Sequence, residues 1–209
     1  MVISRFLNVF ILSLFLCYCF VCPLSAEATT EVHELLSQIQ RDSFQYFLRM
    51  SDKKTGLTKD STQPGAPASI AATGFSLASF AIAYEKNWVE HDYAYAYLTK
   101  TLKTLVSQAE HKNGFFYHFL DARTGRRAWD SEASSIDTAL LIAGALVAAS
   151  FFPDSPIEKM TETIYHRVNW RWMMNETSLV CMGWKPESSF LPYYWDSYNE
   201  LIILQALEL

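Results

Sequence analysis

The sequence is short of the residues that several common chemistries require. It has four cysteines, and Cys17, Cys19 and Cys22 fall in an apolar N-terminal segment, which leaves Cys181 alone. One thiol argues against an internal disulfide, a multi-thiolate metal site and a zinc-dependent cyclase of the lanthionine type. There is no glycine-rich phosphate loop, no His-Glu-x-x-His pair and no Asp-Asp-x-x-Asp cluster of the kind that prenyl-diphosphate cyclases use. Charge is scattered: 17 Lys and Arg against 22 Asp and Glu, a net −5 with no long run of either sign, which argues against a nucleic-acid partner. Neither a metal nor a cofactor is expected.

What the chain does have begins with a leader. Arg5 precedes an apolar run from Phe6 to Val21, followed by Pro23-Leu-Ser-Ala-Glu-Ala28. A charged start, an apolar middle and a small-residue site make a secretory signal peptide over residues 1–26, with cleavage after Ala26 favoured over Ala28. Read as an uncleaved anchor the run is short for a membrane span, and Cys22 lacks a lipoprotein context. Loss of Arg5 leaves 16 basic residues against 22 acidic ones, a charge of −6. The expectation is a periplasmic or extracellular protein of residues 27–209 with no stable membrane insertion after cleavage.

Helical periodicity dominates the rest. Val32, Leu35, Leu36, Ile39, Phe44, Phe47 and Leu48 form a stripe over 31–50, and amphipathic helices are also expected over 92–109 and 157–173. Helices starting near 68, 135 and 197 are apolar almost all round, as helices surrounded by other helices are. Their starts lie 67 and 62 residues apart, so a helical-hairpin unit recurs. Connections from apolar to amphipathic helix are short, whereas the reverse connections are long and rich in acids and aromatics. Antiparallel neighbours place all the long connections at one end, over the N-termini of the inner helices. The predicted class is all-α, a toroid of inner and outer helices.

Such a toroid closes with about twice as many helices as are counted here, so an incomplete half-barrel is expected, the N-terminal half of a longer domain. Several hundred Å² of uncovered apolar helix forgoes on the order of 10 kcal/mol. The isolated chain is therefore expected to be aggregation-prone, partly unfolded or self-associated through its open edge. Gly74 and Gly144 are expected to let inner helices pack closely.

The chemistry is expected on the long-loop face, at the stretch Asp130-Ser-Glu-Ala-Ser-Ser-Ile-Asp137. Carboxylates beside flat rings suit carbohydrate hydrolysis, where one acid protonates the leaving oxygen and another activates water or attacks. Glu132 and Glu187 lie in loops beside Trp129 and Trp184 and are candidate catalytic groups. Asp137 and Glu200 are candidates too, although each occupies a capping-box position behind Ser134 or Ser197 and is explained equally well as structural. Asp121 and Asp130 read as turn residues or ligand contacts, and His118 as a loop-core histidine or a substrate contact. Trp184, Tyr193, Tyr194 and Trp195 either fill the loop core or form a stacking surface. Asn175-Glu-Thr177 fits a glycosylation pattern that is frequent by chance.

Phe44-Gln-Tyr-Phe47, Thr55-Gly-Leu57, Ala68-Ser-Ile-Ala-Ala-Thr-Gly-Phe75, Gly114-Phe-Phe-Tyr-His-Phe-Leu-Asp121, Glu132-Ala-Ser-Ser-Ile-Asp-Thr-Ala-Leu-Leu141, Met182-Gly-Trp-Lys-Pro-Glu187 and Trp195-Asp-Ser-Tyr-Asn-Glu200 occur in that order. Together they resemble the bacterial glycoamylase-like domain. The resemblance implies an (α/α)6 barrel and, by similarity to glycoside hydrolase family 144, an inverting endo-β-1,2-glucanase acting on β-glucan. The catalytic candidates are Glu132, Glu187, Asp137 and Glu200, and the substrate-binding candidates are His118, Asp121, Trp129, Trp184, Trp195 and Tyr198. The alternatives are a transglycosylase related to cyclic β-1,2-glucan synthase and a non-catalytic carbohydrate-binding chain.

Overall fold

The computed structural model describes residues 30–197 and 201–208; the leader, Tyr198 and Glu200 lie outside them. The chain divides into two units, Met1–Ser43 and Phe44–Leu209. In the first, the described residues are the opening turns of helix α1 (30–50), on which Val32, Leu35, Leu36 and Ile39 are exposed.

The second unit continues α1 and adds helices α2 (Ile70–Glu85), α3 (His91–Ser107), α4 (Ser135–Phe151), α5 (Pro156–Arg167), α6 (Trp170–Met173) and α7 (Leu201–Glu208). Between them lie strands of two or three residues: β1 (Ala68–Ser69), β2 (His111–Lys112), β3 (Phe115–Phe116), β4 (Phe119–Leu120), β5 (Ala133–Ser134), β6 (Gly183–Lys185) and β7 (Ser189–Phe190). Helix α4 packs against α2, α5 and α7, while α3 packs against α2 and α5. This is an inner layer of α2, α4 and α7 backed by outer helices, an incomplete α/α barrel of the class expected. No helix among the described residues is long and apolar enough to cross a membrane.

The inner helices touch through backbone. A Cβ on Gly144 would fall 1.9 Å from the carbonyl oxygen of Gly74, so glycine is required there for the close approach. Leu77, Phe80, Leu98, Leu102, Leu141 and Ile142 fill the space between inner and outer layers. Phe75 and Ile82 on α2, Leu146 and Val147 on α4 and Ile202 on α7 remain exposed.

The expected outer helix over 157–173 is instead two helices. Val168 is extended (φ −75°, ψ 120°), and the Asn169 side chain caps a fresh start by accepting from the Trp172 N–H at 2.9 Å. The Asn169 N–H is drawn away to the Asn113 carbonyl at 3.0 Å, which removes it from the helical ladder.

The long connections are stitched to one another at the inner-helix mouths. β1, just ahead of α2, pairs antiparallel with β4 in the next connection, and β5, just ahead of α4, pairs with β6 in the one after. Ser69 and Ser134 then cap their helices, each hydroxyl accepting a backbone N–H three residues on, at 3.2 Å.

Candidate active site

At the mouth of α4 the loop backbone gathers three ionisable side chains. The His118 N–H donates to the Glu132 carbonyl at 2.8 Å, and the His118 carbonyl accepts from the first amide of α2, Ile70, at 3.1 Å. His118 is thus fixed between two inner helices. Its Nδ1 lies 3.1 Å from Glu132 Oε1 and its Nε2 lies 3.7 Å from Asp137 Oδ1. The ring stacks on Phe119 with centroids 3.9 Å apart. Ser134 Oγ donates to Asp137 Oδ2 at 2.5 Å while accepting the Asp137 N–H, so the capping residue also aims the carboxylate.

Burial alone would push the His118 imidazolium down in pKa. The Glu132 hydrogen bond and the charges of Asp137, Glu132 and Asp60 outweigh it, and the pKa is raised. Burial likewise favours the neutral form of Glu132, but the hydrogen bond from His118, its own backbone N–H, and the charges of His118 and Lys185 hold it below the usual carboxylate range. Glu132 is therefore an ionised group at neutral pH, suited to accept a proton rather than deliver one.

Strand β6 keeps room for this carboxylate. A Cβ on Gly183 would meet Glu132 Cγ at 2.7 Å, so only glycine leaves the Glu132 side chain where it is. One ligand atom each from His118, Glu132 and Asp137 lies within 4.8 Å of the others, close enough to hold a cation. The imidazole already spans the two acids, so metal binding would have to turn it out of those contacts.

The remaining candidates separate. Glu187 forms a bidentate pair with Arg127 at 2.6 and 2.9 Å and its side chain is exposed. The Arg127 hydrogen bonds hold its carboxyl below the ordinary range. Asp121 locks its own turn, Oδ1 accepting the amides of Arg123 and Thr124 and the Thr124 hydroxyl. Trp184 is half-buried under a Lys112 ammonium 5.0 Å from its ring. Trp195 is buried, and its indole N–H donates to Ser135 Oγ at 2.9 Å, which ties the third connection to α4. Trp129 is 67 % exposed and meets the edge of Phe119, with ring centroids 5.2 Å apart. Glu200 and Tyr198 lie outside the described residues.

Sequence reasoning passed over Ser134 as an aiming group and Gly183 as a spacer. It also passed over Arg127, whose Nε donates to the Ser131 carbonyl at 2.6 Å while its other nitrogens hold Glu187. The Ser-x-x-Asp spacing pointed to the first; nothing local pointed to the other two.

A mouth of this kind on an inner helix of an incomplete α/α barrel defines the class. No protein-family model and no curated protein sequence matches the chain. Solved structures share its fold. A candidate glucoamylase from Bacteroides uniformis superposes with a TM-score of 0.77 at 20% identity, over 84% of this chain and 45% of that one. An endo-β-1,2-glucanase from Chitinophaga pinensis, solved with sophorotriose and glucose, gives 0.74 at 18% over 84% and 46%. A β-1,2-glucanase from Parabacteroides distasonis gives 0.76 at 18% over 84% and 27%. The chain thus has the glucoamylase-like α/α-barrel fold and spans less than half the length of these proteins.

Proposed function

We propose that the chain supplies part of the active face of a β-glucan hydrolase, most specifically an inverting endo-β-1,2-glucanase that works outside the cytoplasm. The observation that carries this reading is an ionised Glu132, held by His118 and flanked by Asp137, at an inner-helix mouth of a fold that solved β-1,2-glucanases share. Glu132 takes the role of base toward water. His118 fixes its orientation and keeps it charged. The export half of the proposal rests on the leader over residues 1–26.

Glu132 and Asp137 do not serve together as the acid and base of inversion. Their nearest oxygens lie within 4.8 Å, whereas an inverting pair stands about 6.5–9.5 Å apart to admit a water. The proton donor is therefore a third carboxylate. Glu187 is committed to Arg127 and is not that donor.

A second reading, a carbohydrate-binding chain without turnover, is favoured by one observation. Asp52, Asp121, Glu132 and Glu187 all have their carboxyl pKa displaced downward, whereas a proton donor needs the reverse. Incubation with linear β-1,2-glucan, laminarin, cellulose and starch separates the two. New reducing ends from β-1,2-glucan alone support the hydrolase. Binding without release supports the second reading, and neither binding nor release removes both.

A further inference from the structure

Beside the acid cluster, at the mouth of α2, lies a cleft of about 400 Å³ whose walls include Asp52, Lys59, Pro67, Asp121, Arg123 and Trp129. We propose that this cleft is a remote sugar subsite, with Trp129 as the platform for a pyranose ring of a glucan whose reacting unit lies at Glu132. The inference rests on the β-glucan reading above and adds to it a second contact point at a fixed distance.

Four observations carry it. First, Trp129 stands out into solvent in a backbone conformation that bulky residues avoid. Its φ is 56° and that of Asp130 is 49°, two consecutive left-handed residues without a glycine. Strain of this kind persists only where the surroundings impose it, and it gathers at ligand sites. Here both flanks are anchored: the Ala128 N–H donates to the Phe119 carbonyl, and Arg127 grips the Ser131 carbonyl and Glu187.

Second, the walls are preorganised. The chain repeats Asp-x-x-Thr-Gly at 52–56 and 121–125. In each copy the aspartate Oδ1 accepts two backbone amides, and in the second it also accepts the Thr124 hydroxyl. Thr55 Oγ1 donates to the Ala122 carbonyl at 2.5 Å and joins the two loops.

Third, the chemistry of the lining is balanced. Two carboxylates and two cations face one space, so an anionic or cationic ligand meets as much repulsion as attraction. A neutral polyhydroxyl ring uses both donors and acceptors, and its C–H face packs on an indole. Fourth, the cleft adjoins the acid cluster, since Trp129 meets Phe119 edge-on and Phe119 stacks on His118.

The test uses the full chain carrying Glu132→Gln, so that ligand is bound and not cleaved. Linear β-1,2-glucooligosaccharides of increasing length are titrated calorimetrically into this protein and into the same protein with Trp129→Ala or with Arg123→Ala. Arg123→Ala probes a second lining residue without disturbing the Trp129 backbone. The expected result is unchanged affinity for the shortest sugars and a loss of about tenfold for the longer ones, as for truncation of an aromatic anchor. Equal affinities in all three proteins at every length overturn the subsite and leave the glucan reading standing. A loss that is the same at every length also overturns it, because it would put Trp129 at the reacting unit. Failure of the Glu132→Gln protein to bind any length removes the glucan reading and the subsite together.

Discussion

The mouths of α2 and α4 are built alike and equipped differently. At each, a two-residue Ala-Ser strand leads into a serine cap. At each, a threonine on the first turn accepts a buried loop amide: Thr73 from Thr58 at 3.1 Å, and Thr138 from Phe116 at 3.0 Å. The Asp60 N–H donates to Pro67 O as the His118 N–H donates to Glu132 O. These bonds align Asp60 with His118, Pro67 with Glu132 and Ala72 with Asp137. One backbone scaffold therefore carries an ionisable trio at one mouth and a single acid, a proline and an alanine at the other. The fold does not dictate the chemistry; three side chains do, and where they are missing a cleft opens instead.

The strongest way to break this contrast is at Glu132. Glu132→Gln keeps shape and removes the charge, so turnover of β-1,2-glucan should fall about 10²–10⁴-fold while the thermal melt stays cooperative. Near wild-type rates for Glu132→Gln would place the chemistry elsewhere.

Gly183→Ala tests whether position alone matters. The added methyl meets Glu132 Cγ and should force the carboxylate away from His118. A displacement on the scale of 1 Å costs about 10²-fold in rate. Reducing-end kinetics should show the loss in kcat more than in KM, and unchanged kcat would mean that the side chain finds another path.

Removing the shared scaffold should affect both mouths equally. Thr73→Val and Thr138→Val each leave a buried amide unsatisfied, at about 1–3 kcal/mol. Denaturant titration should give similar losses; a marked inequality would show that the two mouths are not equivalent supports.

The smallest effect concerns titration. The His118 ring should titrate above its ordinary 6.5 by NMR, and Glu132→Gln should lower that value. Because its folded pKa is raised, the stability that His118 contributes is complete below the unfolded value and disappears as pH rises through the folded one. Glu132 has the opposite sign: its share is present above its unfolded pKa and is lost as pH falls through the folded one. The pair therefore stabilises most strongly between the two. A His118 pKa that is indifferent to Glu132 would dissolve the cluster.

Much of this was legible in the residues. Apolar periodicity marked the inner helices because surrounded helices have no polar face, and Gly74 and Gly144 stood out as the small residues on them. Ser134 and Asp137 were visible because capping is local. The break at Val168 was not, since it depends on an Asn113 carbonyl more than fifty residues upstream. Nor was the fate of Glu187, which depends on an arginine 60 residues away. Trp195, legible only as an aromatic near acids, turned inward because Ser135 offers its indole an acceptor.

The glycine contact between α2 and α4 has a further consequence. Helices held apart by long side chains can slide as those side chains change rotamer. Here main chain rests on main chain, with no side chain between Gly144 and the Gly74 carbonyl. The spacing between the α2 mouth and the α4 mouth is thus set by atoms that cannot reorient. On the proposed reading, a glucan lying across both mouths meets them at a separation that the backbone contact itself helps to hold.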